Sequence, residues 1–428
     1  MVRRTGRSAD GSCSGSYAGR VSLAHSLPPV MVRSLPIADP GALLTRLPAQ
    51  GQLAWVRGGE GLVGWGELAR LEVSGNDALE RAGQWWAEQC ASMIVDDPVV
   101  LPGSGPVCFG SAAFDRRTAS SVFVIPRVVL GRRDGTTWIT TFGADRTLPG
   151  PSDPAGPDEV AYAEGELSQA DWCLAVATAV KRIAAGDVRK VVLARDLWAR
   201  TEPAVDPRFL MQRLAARYPD CWTFAVDGLV GATPELLVSR RGRQISSRVL
   251  AGTVRRGRPD EDDGLVDGLV HSAKDQEEHR YAVTSVSDAL GPYCRELAVP
   301  EAPEVLRLAT VAHLATVVTG RLREPVPVLR LVDALHPTAA VCGTPTEVAL
   351  DLIPELEAMD RGRYAGPVGW MDAAGDGDWG IALRCAALDG TQVRLFVGCG
   401  IVAGSDPEAE LAESLAKLVT IRDALEGG

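Results

Sequence analysis

The stretch that most constrains this chain is Val397-Gly-Cys-Gly-Ile-Val-Ala-Gly-Ser-Asp-Pro407. Arg394 to Val397 is predicted as a strand, because Val, Leu and Phe suit a pleated surface. Gly398 and Gly400 then remove side chains from a backbone that a ligand could approach closely. Asp406 followed by Pro407 reads as an N-cap with proline at the first helical position, and Ser405 with Glu408 also fits a capping box. A helix is therefore expected from about Glu408 to Leu425. At about 100° per residue, Glu410, Glu413 and Lys417 fall within about 60° of one another, while Leu411, Leu415 and Leu418 form a separate stripe. Two readings stay open for the polar face. It is either an ordinary solvated face with a Glu413–Lys417 pair, or an acidic site beside a glycine-opened strand.

A chain of 428 residues, 46% hydrophobic, can bury a large core. It has no uncharged apolar run of 18 residues, so no membrane span is expected. A net charge of −11 argues against nucleic acid or an anionic membrane surface as partner. A small anionic substrate would need local cations or a metal to offset that field. The nine cysteines include no CxxC pair, which suits buried thiols in a reducing cytoplasm. Five dispersed histidines give no zinc spacing.

Residues 1–34 are rich in Arg, Ser and Gly and lack apolar periodicity, so they read as a disordered extension. Arg3-Arg4 is followed by no apolar segment of an export signal, and Met31 begins a run that looks like a natural start. Residues 35–428 read as a single α+β domain. Leu53–Arg57 and Leu62–Glu67 look like paired strands, Asn76–Cys90 like a helix, and further strands follow near Pro106, Ser121 and Thr136. After a Pro- and Gly-rich loop at 148–158, a helix from Ser168 to Ala185 leads into the strand around Val188 to Arg195.

Several residues could carry chemistry. Strand alternation places Lys190, Val192 and Ala194 on one face. Lys190 is thus either a partly desolvated base or a strand-edge lysine with its head in water. In Gly231-Ala-Thr-Pro-Glu235, the glutamate opens an apolar strand after a turn and is either an acid with a raised pKa or a turn residue in solvent. Leu250-Ala-Gly-Thr253 offers Gly252, the Thr253 hydroxyl and backbone amides to an anion. The helix around Lys274-Asp-Gln-Glu-Glu-His279 carries adjacent glutamates about 100° apart, so one at most fully faces a given site. One such carboxylate with one from the terminal helix would suit Mg²⁺; the plainer reading is a charged helical surface. Arg384, predicted within an apolar strand, needs an anionic partner and is a candidate for a substrate carboxylate.

Taken together, Arg189-Lys-Val-Val-Leu-Ala-Arg195, Gly-Ala-Thr-Pro-Glu235, Leu-Ala-Gly-Thr253, Lys-Asp-Gln-Glu-Glu278-His, His313-Leu-Ala-Thr, Leu335-His-Pro-Thr-Ala-Ala-Val-Cys-Gly-Thr-Pro345, Tyr364-Ala-Gly-Pro-Val-Gly-Trp370, Ile-Ala-Leu-Arg384, Gly398-Cys-Gly-Ile-Val and Glu410 to Lys417 resemble the chorismate-utilising enzymes, most closely their isochorismate synthase branch. The resemblance runs from about residue 50 to 425. It implies two large antiparallel sheets packed together with flanking helices, and a site deep between them. It implies Mg²⁺ held by Glu278 and Glu413 with Glu410 close by, Lys190 as base and Glu235 as acid. Gly252, Thr253, His313, Val341, Tyr364, Arg384, Gly398 and Lys417 match substrate-contacting positions. Cys399 departs from the alanine more usual between the two glycines.

The implied reaction is the Mg²⁺-dependent isomerisation of chorismate: water attacks C2 as the C4 hydroxyl leaves. Hydroxide is a poor leaving group, so Glu235 would give it a proton while Lys190 takes one from water. Aminodeoxychorismate synthases are similar but carry lysine where Ala251 stands, and anthranilate synthases carry glutamine at the Lys190 position. Water is therefore the expected nucleophile. A salicylate synthase, which goes on to eliminate pyruvate, and a non-catalytic chorismate-binding paralogue are the alternatives. The expected protein is a cytoplasmic monomer acting on a small molecule; whether its product goes to menaquinone or to a siderophore stays open.

Overall fold

The computed structural model describes residues 29–144, 147–256, 258 and 261–427. The first elements are β1 (Val30–Pro36), β2 (Leu53–Arg57), β3 (Glu60–Val73), α1 (Ala78–Ala91), β4 (Met93–Asp96), β5 (Val107–Ser111), β6 (Ser121–Arg133), β7 (Thr136–Phe142) and β8 (Glu159–Glu164). Then come α2 (Gln169–Ala184), β9 (Lys190–Glu202), α3 (Pro207–Arg217), β10 (Trp222–Val226), β11 (Leu229–Thr233), β12 (Leu236–Arg241), β13 (Gln244–Arg255), α4 (Asp262–His271) and α5 (Ala273–Leu290). The last are β14 (Cys294–Ala298), β15 (Glu304–Arg307), β16 (Val311–Leu322), α6 (Val328–Leu335), β17 (Gly343–Thr344), α7 (Thr346–Glu357), β18 (Pro367–Asp372), β19 (Gly377–Ile381), β20 (Cys385–Asp389), β21 (Gln392–Ile401) and α8 (Pro407–Glu426).

The α+β class and the antiparallel character are as expected from the sequence. Hydrogen bonding nevertheless joins the strands into one sheet of 21, with two branches that share β6. One branch runs β4–β1–β7–β6–β3–β2–β10–β11–β20–β21–β9, with β8 and β17 on the far edge of β9. The other runs β6–β5–β18–β19–β12–β13–β16, with β14 and β15 beyond. Only the β1–β4 pairing is parallel among the described strands. The branches meet through aromatic side chains: Trp379 of β19 lies 6.2 Å from Phe123 of β6, and a Cβ on Gly380 would come within 2.8 Å of the Trp55 ring of β2. Glycine is what lets the two layers approach there.

Two expectations need correction. Residues 1–28 of the expected extension lie outside the described residues, but residues 30–34 belong to β1, with Val32 and Ser34 wholly buried. The alternation there is too short to stand out among Arg and Ser. Its partners, β4 and β7, lie about sixty and a hundred residues further on. The terminal helix forms where expected, capped by Asp406 Oδ1 accepting from Ala409 N at 2.9 Å. Ser405 does not complete a box with Glu408; its hydroxyl accepts from Val402 N. The helix also sits the opposite way round from a solvated polar face: Glu410 is buried and Leu415 exposed.

β1 is held by one strand on each side and contributes Val32 to the core. Val32→Asp is expected to lower the melting temperature by several degrees through an unpaired buried carboxylate, which thermal unfolding followed by circular dichroism checks.

Candidate active site

A cleft lies where the far ends of the two branches converge. β9 contributes Val192 and Ala194, β13 contributes Leu250 to Thr253, and β16 contributes His313. β21 adds Gly398 and Gly400, α5 Glu278, α8 Lys417, and the bend before β20 adds Arg384. Of the residues singled out from the sequence, Glu235, Gly252, Thr253, Glu278, His313, Val341, Tyr364, Arg384, Gly398 and Lys417 all line it. Lys190 lies just behind the wall, fully buried, and Glu410 and Glu413 stand beyond Lys417.

Lys190 and Glu278 meet across Gly400. The lysine Nζ is 3.3 Å from Glu278 Oε1. A Cβ on Gly400 would fall 2.0 Å from that oxygen and 3.2 Å from Lys190 Cε. The second glycine of the opening motif is thus required by a buried ion pair. Burial alone would raise the Glu278 carboxyl, but Lys190 and Lys417 outweigh it and hold it below the ordinary carboxylate value. The neighbouring Glu277 faces solvent, paired with Arg280 and Tyr281, as the 100° separation requires.

Glu235 behaves differently. It sits immediately before β12, with its backbone nitrogen donating to Thr233 Oγ1 at 3.2 Å. Burial pushes its carboxyl up to about 8, against the pull of Lys190, Arg248 and Lys417. It is therefore protonated at neutral pH, as a proton donor must be.

Arg384 does not lie in a strand. It occupies the bend between β19 and β20 with φ +50°, a left-handed backbone uncommon outside glycine. The side chain is thereby turned toward the cleft, where it hydrogen-bonds the Lys417 carbonyl at 3.4 Å and His313 Nε2 at 3.2 Å. A guanidinium only donates, so His313 Nε2 accepts and its Nδ1–H donates to Thr253 Oγ1 at 3.0 Å. Burial, with Arg384 and Lys417 nearby, keeps His313 neutral. Among the described residues Arg384 makes no ion pair with a carboxylate, and its charge faces the cleft. Tyr364 stacks on Phe396, 4.9 Å between ring centres.

Carboxylates of the kind a divalent ion takes stand beside the cleft. Ligand atoms of Glu410, Glu413 and Cys399 lie within 4.8 Å of one another, and Lys274 feels the field of Glu410, Glu413 and Glu278 alike. Each glutamate is matched by a lysine: Glu278 by Lys190, Glu410 by Lys274, Glu413 by Lys417. Burial and the surrounding carboxylates push the Cys399 thiol well up, so it stays protonated and offers no hard donor. Sequence reasoning passed over Lys274, although it stands in the quoted Lys-Asp-Gln-Glu-Glu-His run. It also missed Arg361 in the cleft wall and Arg248 near Glu235, neither of which carries a local motif.

Comparison with known proteins agrees with this arrangement. Residues 150–426 match the family model described as chorismate binding enzyme. The chain is 42% identical over 268 residues to isochorismate synthase DhbC of Bacillus subtilis, covering 60% of this chain and 67% of that protein. It is 38% identical over 341 residues to the putative isochorismate synthase MenF of Mycobacterium tuberculosis, covering 76% and 87%. The crystal structure of a putative 2,3-dihydroxybenzoate-specific isochorismate synthase from Bacillus anthracis superposes with a TM-score of 0.77 at 32% identity, covering 90% of this chain and 99% of that one. The fold and the site define an enzyme with a cleft lined by both acidic and basic side chains. The chain belongs to the chorismate binding enzyme family.

Gly400→Ala is expected to leave the melting temperature within a few degrees of the parent, because the obstructing atom is the end of a side chain. The Glu278 carboxylate should be displaced from Lys190, which a crystal structure of the variant would show.

Proposed function

We propose that the chain is a Mg²⁺-dependent isochorismate synthase. The observation that carries this reading is the pairing, around one cleft, of a carboxyl held protonated at neutral pH (Glu235) with a buried lysine (Lys190), beside an Ala251 that has no nucleophile to offer. Relatives named as isochorismate synthases support it. Lys190, reacting as the free amine, takes the proton of the water that attacks C2, and Glu235 gives a proton to the departing C4 hydroxyl. Arg384 and Lys417 bind the substrate carboxylates, and the neutral His313 orients Arg384 and Thr253. Mg²⁺ would be held by Glu278 and Glu413, with Glu410 beside them, and would supply positive charge against the dianionic substrate.

Product identification from purified protein, chorismate and Mg²⁺ tests the reading. Isochorismate accumulating in equilibrium with chorismate is the expected result. Salicylate and pyruvate rising in step would reassign the reaction, and no turnover would leave a binding protein. Lys190→Ala and Glu235→Gln should each lower kcat by roughly 10² or more while the fold is kept, the usual scale of acid–base catalysis. Near-normal turnover removes that residue from the mechanism. The acid works only when protonated, so activity should fall as pH rises through about 8. A rate that stays flat well above that pH rules Glu235 out as the proton donor.

A further inference from the structure

We propose that the buried pair Glu357–Arg361 is a positioning device for Lys190, standing in for a missing strand along β9; the catalytic part of this inference rests on the function proposed above. β9 is paired with β21 only as far as Val191 opposite Ile401, so Lys190 lies past the last rung on that side. On the other side, β17 covers Lys190 and Val191 alone, and β8 begins only at Leu197. Between them, the edge of β9 that lines the cleft has no strand beside it.

One backbone carbonyl and two side chains take up its backbone groups. Val192 N donates to the Cys342 carbonyl at 2.7 Å, directly after the β17 pairing. The next group along, the Val192 carbonyl, accepts from Arg361 Nη2 at 2.8 Å. Ala194 N donates to Glu357 Oε1 at 2.7 Å. Arg361 Nε donates to Glu357 Oε2 at 2.9 Å, and its Nη1 reaches the Val341 carbonyl at 2.9 Å. The guanidinium lies 4.1 Å from the ring centre of Phe114, and the two side chains are 3% and 0% exposed. The pair thus continues the hydrogen-bond pattern of a neighbouring strand, with one acceptor and one donor at the required alternation. It also binds that edge to the 341–344 segment.

This fits positioning better than bulk support. A buried ion pair adds little net stability against apolar side chains of similar size, so stability alone does not account for it. What it holds is the stretch of β9 whose face carries Lys190, Val192 and Ala194. All donors of Arg361 that the structure accounts for are spent on Glu357 and on backbone carbonyls, although the residue lines the cleft. Anion binding is left to Arg384 and Lys417, which lie on other elements.

The double variant Glu357→Leu/Arg361→Met removes the hydrogen bonds without leaving a buried charge, and is expected to melt near the parent temperature. With chorismate and Mg²⁺, kcat should fall by about 10- to 100-fold while KM stays within about twofold, since small misplacement of a reacting group is costly and the anion-binding residues are untouched. Amide exchange measured by mass spectrometry should rise in the peptide covering 190–196 and stay unchanged in α2. Glu357→Gln, which keeps an oxygen for Ala194 N, should recover part of kcat; it also serves if the double variant does not fold. Unchanged exchange at 190–196 overturns the clamp, as does a parent-like kcat in a variant whose exchange has risen. A raised KM with unchanged kcat would instead make Arg361 a substrate ligand. If the parent chain forms no isochorismate, the functional reading fails, and the exchange measurement still decides the clamp.

Discussion

The contact on which the site depends is the buried ion pair between Lys190 and Glu278, made through the space that Gly400 leaves. Desolvation of either charge alone would be costly, so the pair persists only because strand, glycine and helix come together at one point. β21 supplies the gap, β9 the lysine and α5 the glutamate. The same logic repeats twice around it, with Lys274 beside Glu410 and Lys417 beside Glu413. Each of the three glutamates thus has a lysine beside it. Arg384 then supplies positive charge facing the cleft.

Within that balanced field, the two groups of opposite task are set apart by environment. Glu278 has cations close enough to overcome burial and stays ionised. Glu235 has cations too, but burial dominates and its proton stays on. Pairs of like groups driven in opposite directions mark acid and base assignments in many active sites. Here the difference follows from placement: Glu235 sits at the mouth of an apolar strand, Glu278 on a helix facing two lysines.

Much of the site was legible because its residues sit in short local patterns. Lys190 and Ala194 were placed on one face by strand alternation, and Val192 and Ala194 do line the cleft. Gly398 and Gly400 were marked as places where a ligand could approach; what comes closest in the structure is the chain itself, Leu193 O at Gly398 and Glu278 Oε1 at Gly400. Arg384 was singled out as an arginine needing an anionic partner and does line the cleft, but it was placed in the wrong element. No local pattern signals a left-handed bend at an arginine. Val32 and Ser34 were missed because a strand of seven residues shows its purpose only through distant partners.

The sequence by itself determined most of the elements, the Asp406 cap, the α+β class and the chemistry-bearing residue types, because these follow from spacing and composition within a few residues. It left the direction of α8 open between a solvated face and a site. Only the tertiary structure decided that Glu410, Glu413 and Lys417 turn inward, since a helix's facing is set by what it packs against. It alone showed that the two sheets share β6, and that Arg361 and Glu357 complete the edge of β9. Hydrogen bonds between residues some 165 positions apart leave no periodic trace in the chain, and they arise only when the fold brings an unpaired strand edge against a buried charge.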